Sequence, residues 1–566
     1  MTARRLDLVF LWHMHQPDYR DRATGEFAMP WTYLHALKDY TDMAAHFERH
    51  PAVRAVVNFV PVLLDQIDDY VGQFACGVFR DPLLRLLAAG DLQALTRDER
   101  HTLLDACFRC NHATMLTPFP HYQRLHALYT SLAHEGDAAL DYLSGAYFSD
   151  LLTWYHLAWS GETLRRESPL LAELMAKGEG FDATDRQRLL NLIGETLGAL
   201  IPRYRALQAR GQIELSATPY AHPLAPLLLD FKVADESQPN APLPQAGHYP
   251  GGRERVLQHL DRAGKSHTAR FGAPPVGLWP AEGAVSTAFV RVMAERGCRW
   301  IATGENVLNN SLRGAPPGAA YRPWQLTEAP GLSLFFRDDR LSDMIGFEYA
   351  KWHGRDAAAD FVRQLETIAQ TAPADAVPVV SVILDGENAW EYYPYNGFYF
   401  FEDLYGLLEK HPTIQTCTYD TVLAGAAPVS PATLPRLTAG SWVHGTLATW
   451  IGDTAKNHAW DLLCAAKQSY DQVIASGRLS PEEAAAADAQ LAICESSDWF
   501  WWFGDYNPAE SVIGFDRLYR RNLASLYCCL HLSPPAQLEL PISTGRTDHT
   551  VVAAGGTMRR ASEHAS

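Results

Sequence analysis

Residues 378–398 read VPVVSVILDGENAWEYYPYNG. A run of apolar, mostly β-branched residues ends at Asp385, with Glu387 and Glu391 close behind it and Trp390, Tyr392, Tyr393 and Tyr395 around them. A second carboxyl, Glu282, follows the apolar run VGLW in WPAEG. Two carboxyl groups delivered from different strands to one rim are what glycosidic bond cleavage requires: one attacks or supports the anomeric carbon while the other protonates the departing oxygen. Aromatic crowding lowers local polarity and favours a protonated Asp385, and negative charge on Glu387 and Glu391 pushes the same way. The plainer reading is that a strand-end acid caps the next helix and its aromatic neighbours are core.

Further polar residues recur at such positions. His13 and His15 in WHMHQP are two apart, so on a strand both point to one face, which suits sugar hydroxyls, structural hydrogen bonds or metal ligation. His222 in ATPYAHP is a possible third ligand, but H-x-H without H-E-x-x-H or paired C-x-x-C is a weak metal signal, and no metal or other cofactor is expected. ESSDWFWWFGD, 495–505, places consecutive aromatics after Asp498, and GSWVHGTLATWIGD carries Trp442 and Trp450; buried packing between domains is the commoner use of such runs. No G-x-S-x-G, Walker loop or G-x-G-x-x-G occurs.

These residues need strands to carry them. LDLVFLWHMH reads as a strand and AVRAVVNFVPVLLDQI as a strand running into a helix, after which about residues 80–210 turn helical. Short buried-strand candidates follow: IELSATP, PVGLWPAE, WIATG, LSLFFRD and VPVVSVILD, separated by amphipathic helices such as RERVLQHLDRA and TAFVRVMAERG. The alternation implies βαβ units in a parallel sheet or barrel, with the site at the C-terminal strand ends. The Pro- and Ala-rich stretch 424–441 marks a boundary. Beyond it three helices are expected, one opening at Ser480-Pro481-Glu482-Glu483, and a frayed tail from about Ser543.

With 566 residues the chain is long enough for more than one domain, and 47% hydrophobic with 20% charged residues is ordinary for a globular protein. A net charge of −17 disfavours nucleic acid or an anionic membrane as partner. Nine cysteines do not form a disulfide framework; Cys107 and Cys110 make a lone C-x-x-C and Cys528–Cys529 adjoin, all read as buried free thiols. No signal peptide and no membrane span is expected, which makes the cytoplasm the default location.

Taken in order, five segments resemble glycoside hydrolase family 57: HQP at 15–17, GQIELSATPYAHP at 211–223, GLWPAE at 277–282, LDGENAWEYYPYNG at 384–397 and SSDWFWWFGD at 496–505. The wording is most similar to the amylopullulanase and α-amylase branch. The resemblance implies an incomplete (β/α)7 barrel over residues 1–425 with a helical insertion at about 80–205 and no obligatory metal. It also implies a helical bundle domain at 426–542 that lends its aromatic loop to the cleft. By position Glu282 would be the nucleophile and Asp385 the general acid/base of a retaining hydrolase of α-1,4-glucans. His13, His15, Glu214, His222, Trp279, Glu387, Trp390, Trp442, Asp498 and Trp499 would contact sugar. The helical segment and the missing extracellular modules depart from large secreted amylopullulanases, so action on glycogen or maltodextrin in the cytoplasm is expected. Transfer by a 4-α-glucanotransferase through the same intermediate, and a non-catalytic glucan-binding protein, are the alternatives. A branching enzyme fits less well, because Gly283 and Ala284 follow Glu282.

Overall fold

The computed structural model describes residues 4–373, 376–425 and 430–546. Seven parallel strands form a closed barrel: β1 (Leu6–Met14), β2 (Ala55–Phe59), β3 (Ile213–Ala217), β4 (Gly277–Leu278), β5 (Trp300–Gly304), β6 (Ser333–Arg337) and β7 (Val379–Asp385). They follow one another around the ring, and pairing of Ser381 with Arg337 closes β7 onto β6. β1 and β7 form a long seam that places His13 opposite Asp385. Strands covered on both faces must be apolar along their length, and the runs LDLVFLWHM and VVSVILD are.

Alternation along these strands sorts the side chains. Leu8, Phe10 and Trp12 face outward into the large core shared with the surrounding helices, whereas Val9 and Leu11 join Val56, Trp279, Trp300, Phe335, Val379 and Ile383 in a separate interior core. The period of two therefore carries His13 on β1 and Asp385 on β7 to the lumen side at its C-terminal end. β4 is regular over only two residues, so the chain leaves the ring early and Glu282 falls in the loop above it.

Helices from Pro61–Cys76 onward fill the stretch between β2 and β3, ending in the long α1 (Ala183–Ala209), whose start is fixed by a capping box between Asp182 and Asp185. After β6 and β7 come α2 (Gly354–Thr371) and α3 (Phe398–Lys410), which pack on each other. The C-terminal part comprises α4 (Thr454–Ala475), α5 (Pro481–Cys494), α6 (Ser497–Trp502) and α7 (Ala509–Cys529). Ser480 and Glu483 form a reciprocal capping box at the start of α5.

Within the stretch 424–441, Ala432–Leu434 pairs in parallel with Trp324–Leu326, and Gly440 bridges to Val285. Two expectations need correction. Residues 543–546 are packed, because the Ser543 hydroxyl accepts from the Gly504 amide at 3.1 Å and the Arg546 amide donates to the Asn507 carbonyl at 2.9 Å. The rest of that tail, 547–566, lies outside the described residues. Cys107 and Cys110 are buried free thiols, but Cys528 is exposed and Cys529 half-buried. Among the described residues, no helix is long and apolar enough to cross a membrane.

Candidate active site

Asp385 ends β7 half-buried, and the chain turns at once because Gly386 lies against β1: a Cβ there would meet Met14 Sδ at 2.0 Å. The Gly386 amide donates to the His13 carbonyl at 2.7 Å, which locks the turn. Burial pushes the Asp385 carboxyl up to about 6, opposed by a 2.6 Å hydrogen bond from Asn388 Nδ2 to Oδ2 and by His15 and Arg337 nearby. Asp385 thus keeps its proton into mildly acidic solution, where an ordinary aspartate has lost it, as suits a general acid.

Glu282 is held differently. It is buried and sits at φ 58°, a left-handed conformation that is costly for a residue with a side chain. Gly283 follows at φ 58°, where a Cβ would come within 2.7 Å of the Trp279 indole, so only glycine fits. Thr303 Oγ1 donates to the Gly283 carbonyl at 2.6 Å, and the Trp442 amide donates to the Glu282 carbonyl at 3.1 Å. The carboxylate itself receives the Trp442 indole N–H on Oε2 at 3.0 Å. Trp442 also packs edge-on against Trp279, with centroids 5.3 Å apart, and carries the Arg337 guanidinium 5.5 Å from its ring centre.

Arg337 joins the two sides. It ends β6, donates from Nε to the Ile383 carbonyl of β7 at 2.9 Å, and is one of the charges acting on Asp385. Glu282 above β4 and Asp385 on β7 are thus separated by β5 and β6 around the ring and are linked in relay, Trp442 donating to Glu282, Arg337 lying against Trp442, and Arg337 acting on Asp385.

The histidines make the opposite wall. His13 Nδ1 lies 2.7 Å from Asn58 Oδ1, an acceptor only, so Nδ1 carries the proton and Nε2 accepts from His222 Nε2 at 3.2 Å. His222 Nδ1 then accepts from the Ser497 hydroxyl at 2.8 Å. Neutral rings suit this chain. Burial, and then the charge of His15, lowers His13 to about 3 and takes His222 well below the usual range. His15 stacks on His222 with centroids 3.9 Å apart and holds Asp498 through Nε2 at 2.8 Å; its buried Nδ1 has no partner among the described residues.

Ser497 and Asp498 come from α6, and the C-terminal helices are pinned where they must be to supply them. Buried Glu495 takes both Arg255 Nε, at 2.7 Å, and His259 Nε2, at 2.8 Å, from the helix preceding β4. Against the desolvation that would raise it, the Arg255 guanidinium and the hydrogen bond from His259 hold Glu495 far below the usual carboxylate range.

Glu387 is fully buried beside Asp385. Burial raises its carboxyl well above the usual range, and the charges of Asp385 and Asp39 add to this. Oε1 accepts from Gln16 Nε2 at 3.2 Å, while Oε2 has no partner among the described residues.

Three expected sugar contacts lie elsewhere. Glu214 is near the start of β3, toward the opposite end of the barrel, where it accepts from Trp300 Nε1 at 2.6 Å and from the Asp420 amide at 3.0 Å. Trp390 is core: its indole donates to the Gly386 carbonyl at 2.8 Å and packs on Trp12 and Phe401. Trp499 is fully buried against Phe515 and Tyr519, with its N–H on the Ile493 carbonyl at 2.9 Å. Arg337, Asn58, Asn388 and Ser497 were not singled out in the sequence. Arg337 ends the run SLFFR in the same way that Asp385 ends its own, so the same signal could have found it.

Among the described residues, one group has ligand atoms spaced for a metal ion: His15, His222 and Asp498. In this arrangement His15 Nε2 is hydrogen-bonded to Asp498 and His222 Nδ1 to Ser497.

The model of glycosyl hydrolase family 57 matches residues 9–434. No curated protein matches the chain. Among solved structures, a branching enzyme of that family from Thermococcus kodakaraensis is similar in fold, with a TM-score of 0.57 at 14% identity, covering 92% of this chain and 89% of the other. An α-amylase from Thermotoga maritima gives 0.54 at 14% identity over 95% and 94%. A 4-α-glucanotransferase from Thermococcus litoralis gives 0.50 at 13% identity over 93% and 60%.

Proposed function

This chain belongs to glycosyl hydrolase family 57, and from that premise we propose that it cleaves α-1,4-glucans, such as maltodextrin or glycogen, with retention of configuration. Glu282 attacks the anomeric carbon and forms a glycosyl-enzyme while Asp385 gives its proton to the departing oxygen. Asp385, now ionised, takes a proton from the incoming water, which releases the sugar with its original configuration. The observation that carries this reading is the pairing of a carboxyl raised to about 6 with a second carboxyl held on a strained turn, both at the C-terminal end of one barrel and linked through Trp442, which donates to Glu282, and Arg337, which lies against Trp442 and acts on Asp385. The Trp442 N–H holds the Glu282 oxygen in place, and His13, His15 and Asp498 line the wall opposite for sugar hydroxyls.

Transfer to a second sugar competes with hydrolysis at the same intermediate. The burial of Glu282 behind Trp442 favours it, because a site that limits water lengthens the life of the glycosyl-enzyme. Product chromatography on maltotriose, maltotetraose, glycogen and pullulan tests both. Shorter products alone, each cleavage adding one reducing end, assign hydrolysis; longer products formed alongside the shorter leaving sugars, with no net gain of reducing ends, assign transfer. Undiminished turnover by Glu282→Ala or Asp385→Ala would overturn the proposal.

A further inference from the structure

Four aromatic side chains are exposed among the described residues, and three of them lie together: Trp352 at 42%, Tyr395 at 56% and Tyr399 at 48%. Tyr395 and Tyr399 meet edge to face, 5.4 Å apart. Trp352 packs on Tyr349, which packs on Phe400 beside Tyr399. These residues surround the N-terminal ends of α2 and α3, the helices that follow β6 and β7, and so stand on the side of the barrel where Asp385 opens.

The backbone is strained to present them. Tyr395 and Asn396 are successive non-glycine residues in the left-handed region, at φ 55° and 52°. The kink is held from beneath. Asn396 is buried, accepts from Lys38 Nζ at 2.8 Å and donates to Asp42 Oδ2 at 2.8 Å. A buried polar anchor thus fixes a turn whose effect is to hold a tyrosine out in water. Strain of this kind persists where surrounding structure imposes it, and it gathers at binding and catalytic sites. Tyr399 is oriented as well: Arg166 donates to its hydroxyl at 3.2 Å and lies 5.2 Å from its ring centre.

We propose that Trp352, Tyr395 and Tyr399 form an auxiliary α-glucan platform on the barrel rim, outside the catalytic cleft. The inference rests on the α-glucan reading above. Partly exposed rings with a polar tip match a sugar, which offers CH groups on its faces and hydroxyls at its edge. Exposed Lys351, His353 and Arg355 lie among the rings, so the patch is amphipathic rather than a dry apolar face that a second copy would cover. The loop from Asp385 to Gly397 runs from the catalytic carboxyl to this patch, so a long chain bound at the rim stays within reach of the cleft.

The test is affinity electrophoresis in glycogen-containing gels, with binding variants made in a Glu282→Gln background so that the polymer stays intact. Turnover of maltotetraose is followed in the active enzyme carrying the same binding variants. Trp352→Ala/Tyr395→Ala is expected to weaken glycogen retardation at least about fivefold, the scale of losing an aromatic anchor, with maltotetraose turnover unchanged. Tyr395→Phe keeps the ring and is expected to keep the retardation, provided that circular dichroism shows each variant folded. Retardation unchanged in the double variant overturns the platform, as does equal loss in Tyr395→Phe. A shift in size-exclusion elution with retardation unchanged assigns the patch to self-association and also overturns it. If the parent enzyme turns over no α-glucan yet glycogen retards it through these rings, the hydrolase reading fails while the platform stands. If maltotetraose is cleaved and the rings make no difference, the reverse holds.

Discussion

Replacing Asp385 by asparagine should stabilise the protein while disabling it. The carboxyl is raised from 3.8 to about 6 by burial, so ionising it costs more in the folded state than in the unfolded one. The sign follows from linkage: below the unfolded value both states are protonated and no penalty exists, and above the folded value the penalty is complete. A shift of this size corresponds to about 3 kcal/mol at pH 7.5 and roughly half of that at pH 5. Asparagine is uncharged and can still accept from Asn388, so Asp385→Asn removes the penalty with little change in packing. Denaturant unfolding of the wild type and the variant at pH 5 and pH 7.5 measures it. The variant should be more stable at both, by a gap that widens toward pH 7.5, and should have lost α-glucan turnover. A variant less stable than wild type at pH 7.5, or a gap that does not change with pH, would refute the assignment of a raised carboxyl.

Asn388→Ala removes a hydrogen bond that favours the ionised carboxylate, so the alkaline limb of kcat/KM should move up from near pH 6 by about one unit; a limb that stays or falls contradicts this. Trp442→Phe deletes the indole N–H on Glu282 and should lower kcat about tenfold, on the scale of one hydrogen bond to a charged group, in steady-state assays on maltotetraose. Glu214→Gln should leave kcat intact and lower the thermal midpoint, because its carboxylate takes hydrogen bonds from Trp300 and Asp420 toward the far end of the barrel.

The barrel could be read from the sequence because strands covered on both faces must be apolar, and the runs that become β1, β2, β5, β6 and β7 announce themselves that way. The paired carboxyls were legible by the same logic, since each interrupts or follows such a run. Height along the barrel was not. Glu214 and His222 share one short segment, but a strand rises about 3.3 Å per residue, so they end near opposite ends of β3. Trp390 shares its segment with Asp385 yet turns outward into the helices. Trp442 sits just past a Pro- and Ala-rich stretch that reads as a domain boundary, and only the pairing of Gly440 with Val285 shows why it reaches Glu282. The aromatics after Asp498 pack the C-terminal helices, while the polar residues at the start of that run, Ser497 and Asp498, reach the histidines.

The account stands or falls on a double displacement, with Glu282 on one side of the sugar and Asp385 on the other. Proton NMR of freshly released maltose, taken during the first minutes of maltotetraose cleavage and before mutarotation, reads it directly. Reducing ends gained above the anomeric mixture that the substrate already carries should appear as the α-anomer and decay toward equilibrium; newly formed ends in the β form at the outset would contradict the mechanism.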